Sequence, residues 1–136
     1  MSLYSILDIS GAGMNVQQSR LEAAALNLAN AQTTAPPGTP AYRPLTVVLH
    51  SARGEAGSLP LPVVAGTVPL NATPRLVYDP GHPDADAQGF VSLPGVDPIG
   101  SMLDLISISR SYEANLRAFD VTRTLLQKTL DMGNHR

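Results

Sequence analysis

Proline confines the helices of this chain to its two ends. All twelve prolines, from Pro36 to Pro98, lie in the middle of a 136-residue sequence, and residues 1–35 and 99–136 contain none. Proline lacks the amide hydrogen that a helix interior uses, and its ring collides with the preceding turn, whereas turns and edge strands tolerate it. The distribution predicts an α+β fold in three parts: a long helix over 1–34, a small β-rich, Pro/Gly-containing module over 35–98, and a second long helix over 99–136. A chain of this length builds one small core and little more. With only four Tyr, two Phe and no Trp, that core has to come from Leu, Val, Ile and Ala.

Both ends carry apolar rows at a spacing of seven. Leu7, Met14, Leu21 and Leu28 form the first, with a weaker stripe of Ile9, Val16 and Ala23 elsewhere around the helix. Leu105, Tyr112, Phe119 and Leu126 form the second, interleaved with Met102, Leu116 and Leu130, while Ala114, Ala118, Val121 and Leu125 occupy roughly the opposite side. A heptad repeat keeps one seam facing a partner helix, so the two ends are expected to pair as a coiled coil. Gly11 and Gly13 each weaken the first helix by about 1 kcal/mol relative to Ala. Gly133 stands where the second helix is expected to end. A closed hairpin of the two helices buries one seam per helix. Each helix has a second apolar face, and the proline-rich middle looks too small to cover both. At about 1.5–3 kcal/mol per buried Leu, Val or Phe, uncovered stripes drive association.

Between the helices, residues 42–50, 63–68, 75–78 and 90–93 read as short strands bounded by Gly/Pro turns, with an exposed loop tip at 53–58. Such a module makes a small sheet or a pair of hairpins.

Composition and motifs exclude several kinds of chemistry. A net charge of −2 without any Lys/Arg cluster gives no electrostatic footprint for nucleic acid. The absence of Cys removes disulfides, thiol nucleophiles and Cys-based metal sites. The opening residues lack a basic segment and reach Asp8 before an adequate apolar run, so no Sec-type signal peptide is expected, and no stretch is long enough to insert in a membrane. Residues 79–86, with His82, Asp84 and Asp86, are the one group of metal-ligand types, but they lack the order of an EF-hand. Two prolines in that run suit a rigid turn instead. No phosphate-binding, dinucleotide or nucleophile-elbow motif is present, and the three His have no triad context. Neither an enzyme nor a cofactor is expected. Asn27 and Asn30, three apart, offer amides to one side of the first helix; by composition alone they read as a polar helix end.

The N-terminal residues Ser10-Gly11, Met14, Arg20-Leu21, Ala25, Asn27-Leu28-Ala29-Asn30 and Thr33 resemble the signature of bacterial flagellar axial proteins of the rod and hook, and Ser111-Tyr112-Glu113-Ala114-Asn115 resembles that family's second signature. The central run Arg75-Leu76-Val77-Tyr78-Asp79-Pro80-Gly81-His82-Pro83-Asp84-Ala85-Asp86, followed by Gly89-Phe90-Val91, Pro94 and Val96-Asp97, is similar to the proximal-rod branch. Residues 52–73 depart most from the pattern. The resemblance implies a structural subunit without enzymatic activity, exported without a cleavable signal peptide by the flagellar type III apparatus. It implies a periplasmic rod whose terminal helices form an inner layer around the export channel and transmit torque. The implied partners are copies of itself, neighbouring proximal and distal rod proteins, and the ring and export-gate adaptor at the rod base. Taken with the stripes, it puts the assembly interface on Leu7, Met14, Leu21, Asn27, Leu28 and Asn30 of the first helix. On the second it falls on Leu105, Tyr112, Asn115, Leu116, Phe119, Val121, Leu125, Leu126 and Leu130. Two readings outside this class compete: a cytoplasmic coiled-coil adaptor docking a partner through the same helices, and a metal-dependent hydrolase built on His82, Asp84 and Asp86. Another rod or hook protein competes within it.

Overall fold

The computed structural model describes residues 3–52 and 59–134. Helix α1 spans Leu3–Ala29, strands β1 to β4 span Leu45–Ala52, Leu61–Pro69, Arg75–Tyr78 and Phe90–Leu93, and helix α2 spans Pro98–Asn134. The order is the α+β one that the prolines predict. The expected loop tip at 53–58 and His135 lie outside the described residues.

Two antiparallel pairs, β1–β2 and β3–β4, make two separate two-stranded sheets. The first begins at Leu45, later than the expected 42, because Pro44 has no amide hydrogen to give the ladder. Its register slips between Val48 and Leu49, where Gly66 faces Val48 and Val64 faces Leu49, so Ala65 is the extra residue of a bulge. Gly66 sits there at φ +149°, a backbone conformation that side-chain-bearing residues rarely adopt. In the second sheet Tyr78 and Phe90 meet edge to face with ring centroids 5.4 Å apart.

Helix α2 starts one residue earlier than expected, on Pro98. Asp97 caps it: the Asp97 carboxylate accepts from the amides of Ile99 and Gly100, both at 3.1 Å. Proline is suited to the first helical position, where its missing amide hydrogen is not needed. Gly133 does not end the helix, which continues through it to Asn134.

Helix α1 lies between α2 and the first sheet. It packs along α2 on one side and against β1 and β2 on another. The buried apolar residues are small, among them Val16, Ala23, Ala31, Ala35, Ala41, Val91 and Pro94. The accessible surface is 9342 Å², where a compact 14.3 kDa monomer would expose about 6,800 Å². The fold leaves much of its apolar surface uncovered.

Candidate assembly interface

The helix pair is antiparallel, with Gly13 directly against Asn115. A Cβ on Gly13 would stand 2.7 Å from the Asn115 amide nitrogen, so glycine is what lets the helices approach there. Around this crossing the α2 face toward α1 runs through Leu105, Ile108, Asn115, Phe119, Thr122 and Leu126; Thr122 is buried and the others half-buried. Tyr112 belongs to the same row but is 38% exposed. The seven-spaced row Leu105–Tyr112–Phe119–Leu126 thus lies on the α2 seam. Its interleaved row is Ile108, Asn115 and Thr122 rather than Met102, Leu116 and Leu130, all three of which are exposed. The sequence rows differ by one residue, and small or polar groups fill the true row because α1 approaches closely.

On α1 the ranking of the two stripes is reversed. Val16 and Ala23, expected as the weaker stripe, are buried. They share a helix face with Asn27, whose side chain is bonded to β1, so the first hairpin covers them. Leu7, Met14 and Leu28 are half-buried at the edge of the α2 contact, and Leu21 is 40% exposed. The middle module therefore covers the second face of α1 but not that of α2, which packs on no strand, and so does not cover both.

Gly13→Ala tests the crossing. Alanine favours a helix by about 1 kcal/mol over glycine, but here its methyl must displace Asn115. The single change is expected to destabilise the chain in urea unfolding, and to become stabilising when Asn115→Ala removes the obstruction. Stabilisation in both backgrounds would show that the approach is not tight.

Asn27 and Asn30 do not stand as a plain polar helix end. The Asn27 amide nitrogen donates to the Leu45 carbonyl (2.8 Å), and its oxygen accepts from the Leu45 amide (2.7 Å) and the Tyr42 hydroxyl (3.0 Å). The side chain thus imitates a strand neighbour and fastens the hairpin to α1. Burial raises the Tyr42 pKa, which keeps the phenol a hydrogen donor. Asn30 acts locally, donating to the Leu26 carbonyl (2.9 Å) and accepting from the Thr33 hydroxyl (3.3 Å). Nothing in the sequence pattern distinguished the two roles. The pairing of Asn27 with a strand start appears only when α1 and β1 are brought together.

Residues 79–86 fold into consecutive turns, His82 amide to Asp79 carbonyl at 3.2 Å and Ala85 amide to His82 carbonyl at 3.1 Å. The carboxylates are engaged by nearby donors. Asp86 accepts from the amides of Gln88 (2.9 Å) and Phe90 (2.8 Å), and Asp84 takes the Thr34 hydroxyl at 2.5 Å. The Asp84 amide donates to His82 Nδ1 (3.1 Å), which makes that nitrogen an acceptor rather than half of an ion pair with the carboxylate 3.9 Å away. Among the described residues no three His, Asp or Glu converge as metal ligands would.

What stays open is the far side of α2. Ile99, Leu103, Ile106, Val121, Leu125 and Met132 are each between 49% and 72% exposed. Val121 stands about 200° around the helix from Phe119, hence opposite the seam. Leu130, 64% exposed, and Leu116, 40% exposed, lie toward the seam side of the helix instead. No described helix is long and apolar enough to cross a membrane, so lipid burial of a spanning helix does not account for the stripe.

Comparison with known proteins gives the stripe a context. Residues 87–132, covering β4 and most of α2, match the family described as flagellar basal body rod FlgEFG protein, C-terminal. The chain is 42% identical to the flagellar basal-body rod protein FlgC of Salmonella typhimurium, over 98% of this chain and 99% of that protein. It belongs to the FlgC family. FlgC of Escherichia coli is 40% identical over the same shares, and FlgC of Bacillus subtilis 35%. Membership makes the chain a structural subunit of the flagellar basal-body rod, not an enzyme, and the adaptor reading loses its support. The match covers 98% of the chain, and within the divergent stretch β2, Leu61–Pro69, packs on α1.

Proposed function

We propose that this FlgC-family chain polymerises through α1 and α2 into the proximal rod, the two helices forming a coiled-coil inner layer around the export channel and the two sheets facing outward. The observation that carries this is the apolar far side of α2, left uncovered after every other described element of the chain has found its place. Burial of that side against neighbouring subunits grips each α2 on two faces, and many helices held in this way make a tube stiff in torsion. The rod then carries motor torque across the periplasm, with ring and export-gate adaptor proteins at its base and distal rod proteins above. The subunit travels through the type III export apparatus without a cleavable signal peptide. A chain whose core is small and whose long helix has one partner unfolds at low cost for a narrow channel.

The experiment is isolation of basal bodies from cells with and without this chain. With it, the chain is expected in the rod fraction; without it, rods should fail to extend and cells should not swim. Complete rods and normal swimming in its absence would return the balance to the adaptor reading.

A further inference from the structure

The second sheet stands apart from the rest of the fold. Neither β3 nor β4 packs on a helix or on the first sheet. The hairpin is rooted where its two chains meet, with Gly95 so close to the Thr73 carbonyl that a Cβ would stand 2.4 Å from it. Near this root one bridge joins Ser92 to Ala35, in the loop that leaves α1. The opposite end, the turn over residues 79–89, is fastened to the same loop by the Thr34 hydroxyl, which donates to Asp84 Oδ2 at 2.5 Å.

His82 stands beside that fastening. Its Nδ1 accepts the Asp84 amide at 3.1 Å and lies 3.9 Å from Oδ2, the oxygen that holds Thr34. The other acids of the turn are occupied elsewhere, Asp79 by the Gly81 amide and Asp86 by those of Gln88 and Phe90. The facing loop over residues 30–41 brings no acid or base, β4 brings none, and β3 brings only Arg75, at the end of the strand away from the turn. Imidazole ordinarily changes charge between pH 8 and 5. A proton on Nδ1 sets a donor against the Asp84 amide and offers the carboxylate a cation, which binds it more strongly than a neutral hydroxyl does. We propose that His82 is a pH-sensitive release for this latch. With a neutral ring, Thr34 holds Asp84 and the turn is closed on the loop; with a protonated ring, Asp84 swings to the imidazolium, Thr34 lets go, and the hairpin turns about its root. The device belongs to the single chain and does not rest on the rod reading.

The chain has no Cys, so Gln32→Cys on the loop and Gln88→Cys on the turn, both at exposed positions, take spin labels cleanly. In the full-length chain the distance between the labels should be single and narrow at pH 8. At pH 5 it should be longer and broader, changing over the same pH range as the His82 ring resonances. His82→Gln and, separately, Asp84→Asn should stay narrow at both pH values, because the first cannot gain the charge and the second lacks the carboxylate that answers it. Thr34→Val should be broad at both. An unchanged distance between pH 8 and 5 in the parent chain, or broadening at pH 5 that persists in His82→Gln, overturns the proposal.

Discussion

Val121→Asp is expected to abolish rod assembly and swimming while leaving the chain folded. In the single chain Val121 is 60% exposed on the far side of α2, so a carboxylate there stays in water and costs little. In the rod the same group is enclosed by apolar neighbours without a partner, at a cost of several kcal/mol per subunit. Phe119→Asp should also stop assembly, but for another reason. Phe119 is half-buried on the seam with α1, and its replacement is expected to loosen the fold itself. Circular dichroism of the purified chains separates the two: near-normal helix content for Val121→Asp and reduced content for Phe119→Asp, with both strains immotile in soft agar. Normal swimming with Val121→Asp would mean that solvent, not a neighbour, covers this face.

The second large effect falls on Asn27. Truncation to Ala deletes three hydrogen bonds and leaves the Leu45 amide and carbonyl to find water at a partly buried junction. The expected loss is about 2–4 kcal/mol, read as a lower urea midpoint with faster amide exchange at Leu45. Asn27→Asp should fall between the two, since it keeps an acceptor for Leu45 and Tyr42 but sets a carboxylate oxygen against the Leu45 carbonyl. An unchanged midpoint for Asn27→Ala would show that the hairpin is held to α1 by Val16 and Ala23 alone.

Proline placement and heptad spacing made the architecture legible in the sequence, because both act locally. Pro44 and Pro98 set where β1 and α2 begin, and Asp97 before Pro98 is a cap signal visible without any fold. The row Leu105–Tyr112–Phe119–Leu126 was legible for the same reason. The partner row was not. Ile108, Asn115 and Thr122 do not form an apolar stripe, and their place on the seam follows from the close approach at Gly13, which depends on both helices at once. Likewise, Val16 and Ala23 looked like a minor stripe because the hairpin that buries them is distant in sequence. Asn27 read as polar punctuation because its partners, Tyr42 and Leu45, lie beyond the intervening loop. The uncovered side of α2 was legible from Val121 and Leu125, although Ile99, Leu103 and Ile106, which extend it toward the helix start, fell outside the rows that spacing alone picked out.

The central claim is that neighbours cover the far side of α2 in the rod, and one labelling experiment reaches it directly. Val121→Cys supplies a single thiol in a chain that has no other. Its maleimide labelling rate is measured in the purified monomer and in isolated basal bodies that retain motile-strain morphology. Rapid labelling of the monomer and strong protection in the rod is the predicted result. Equal rates in the two states would contradict the account, because the face would then be as open to solvent in the assembled shaft as it is in the single chain.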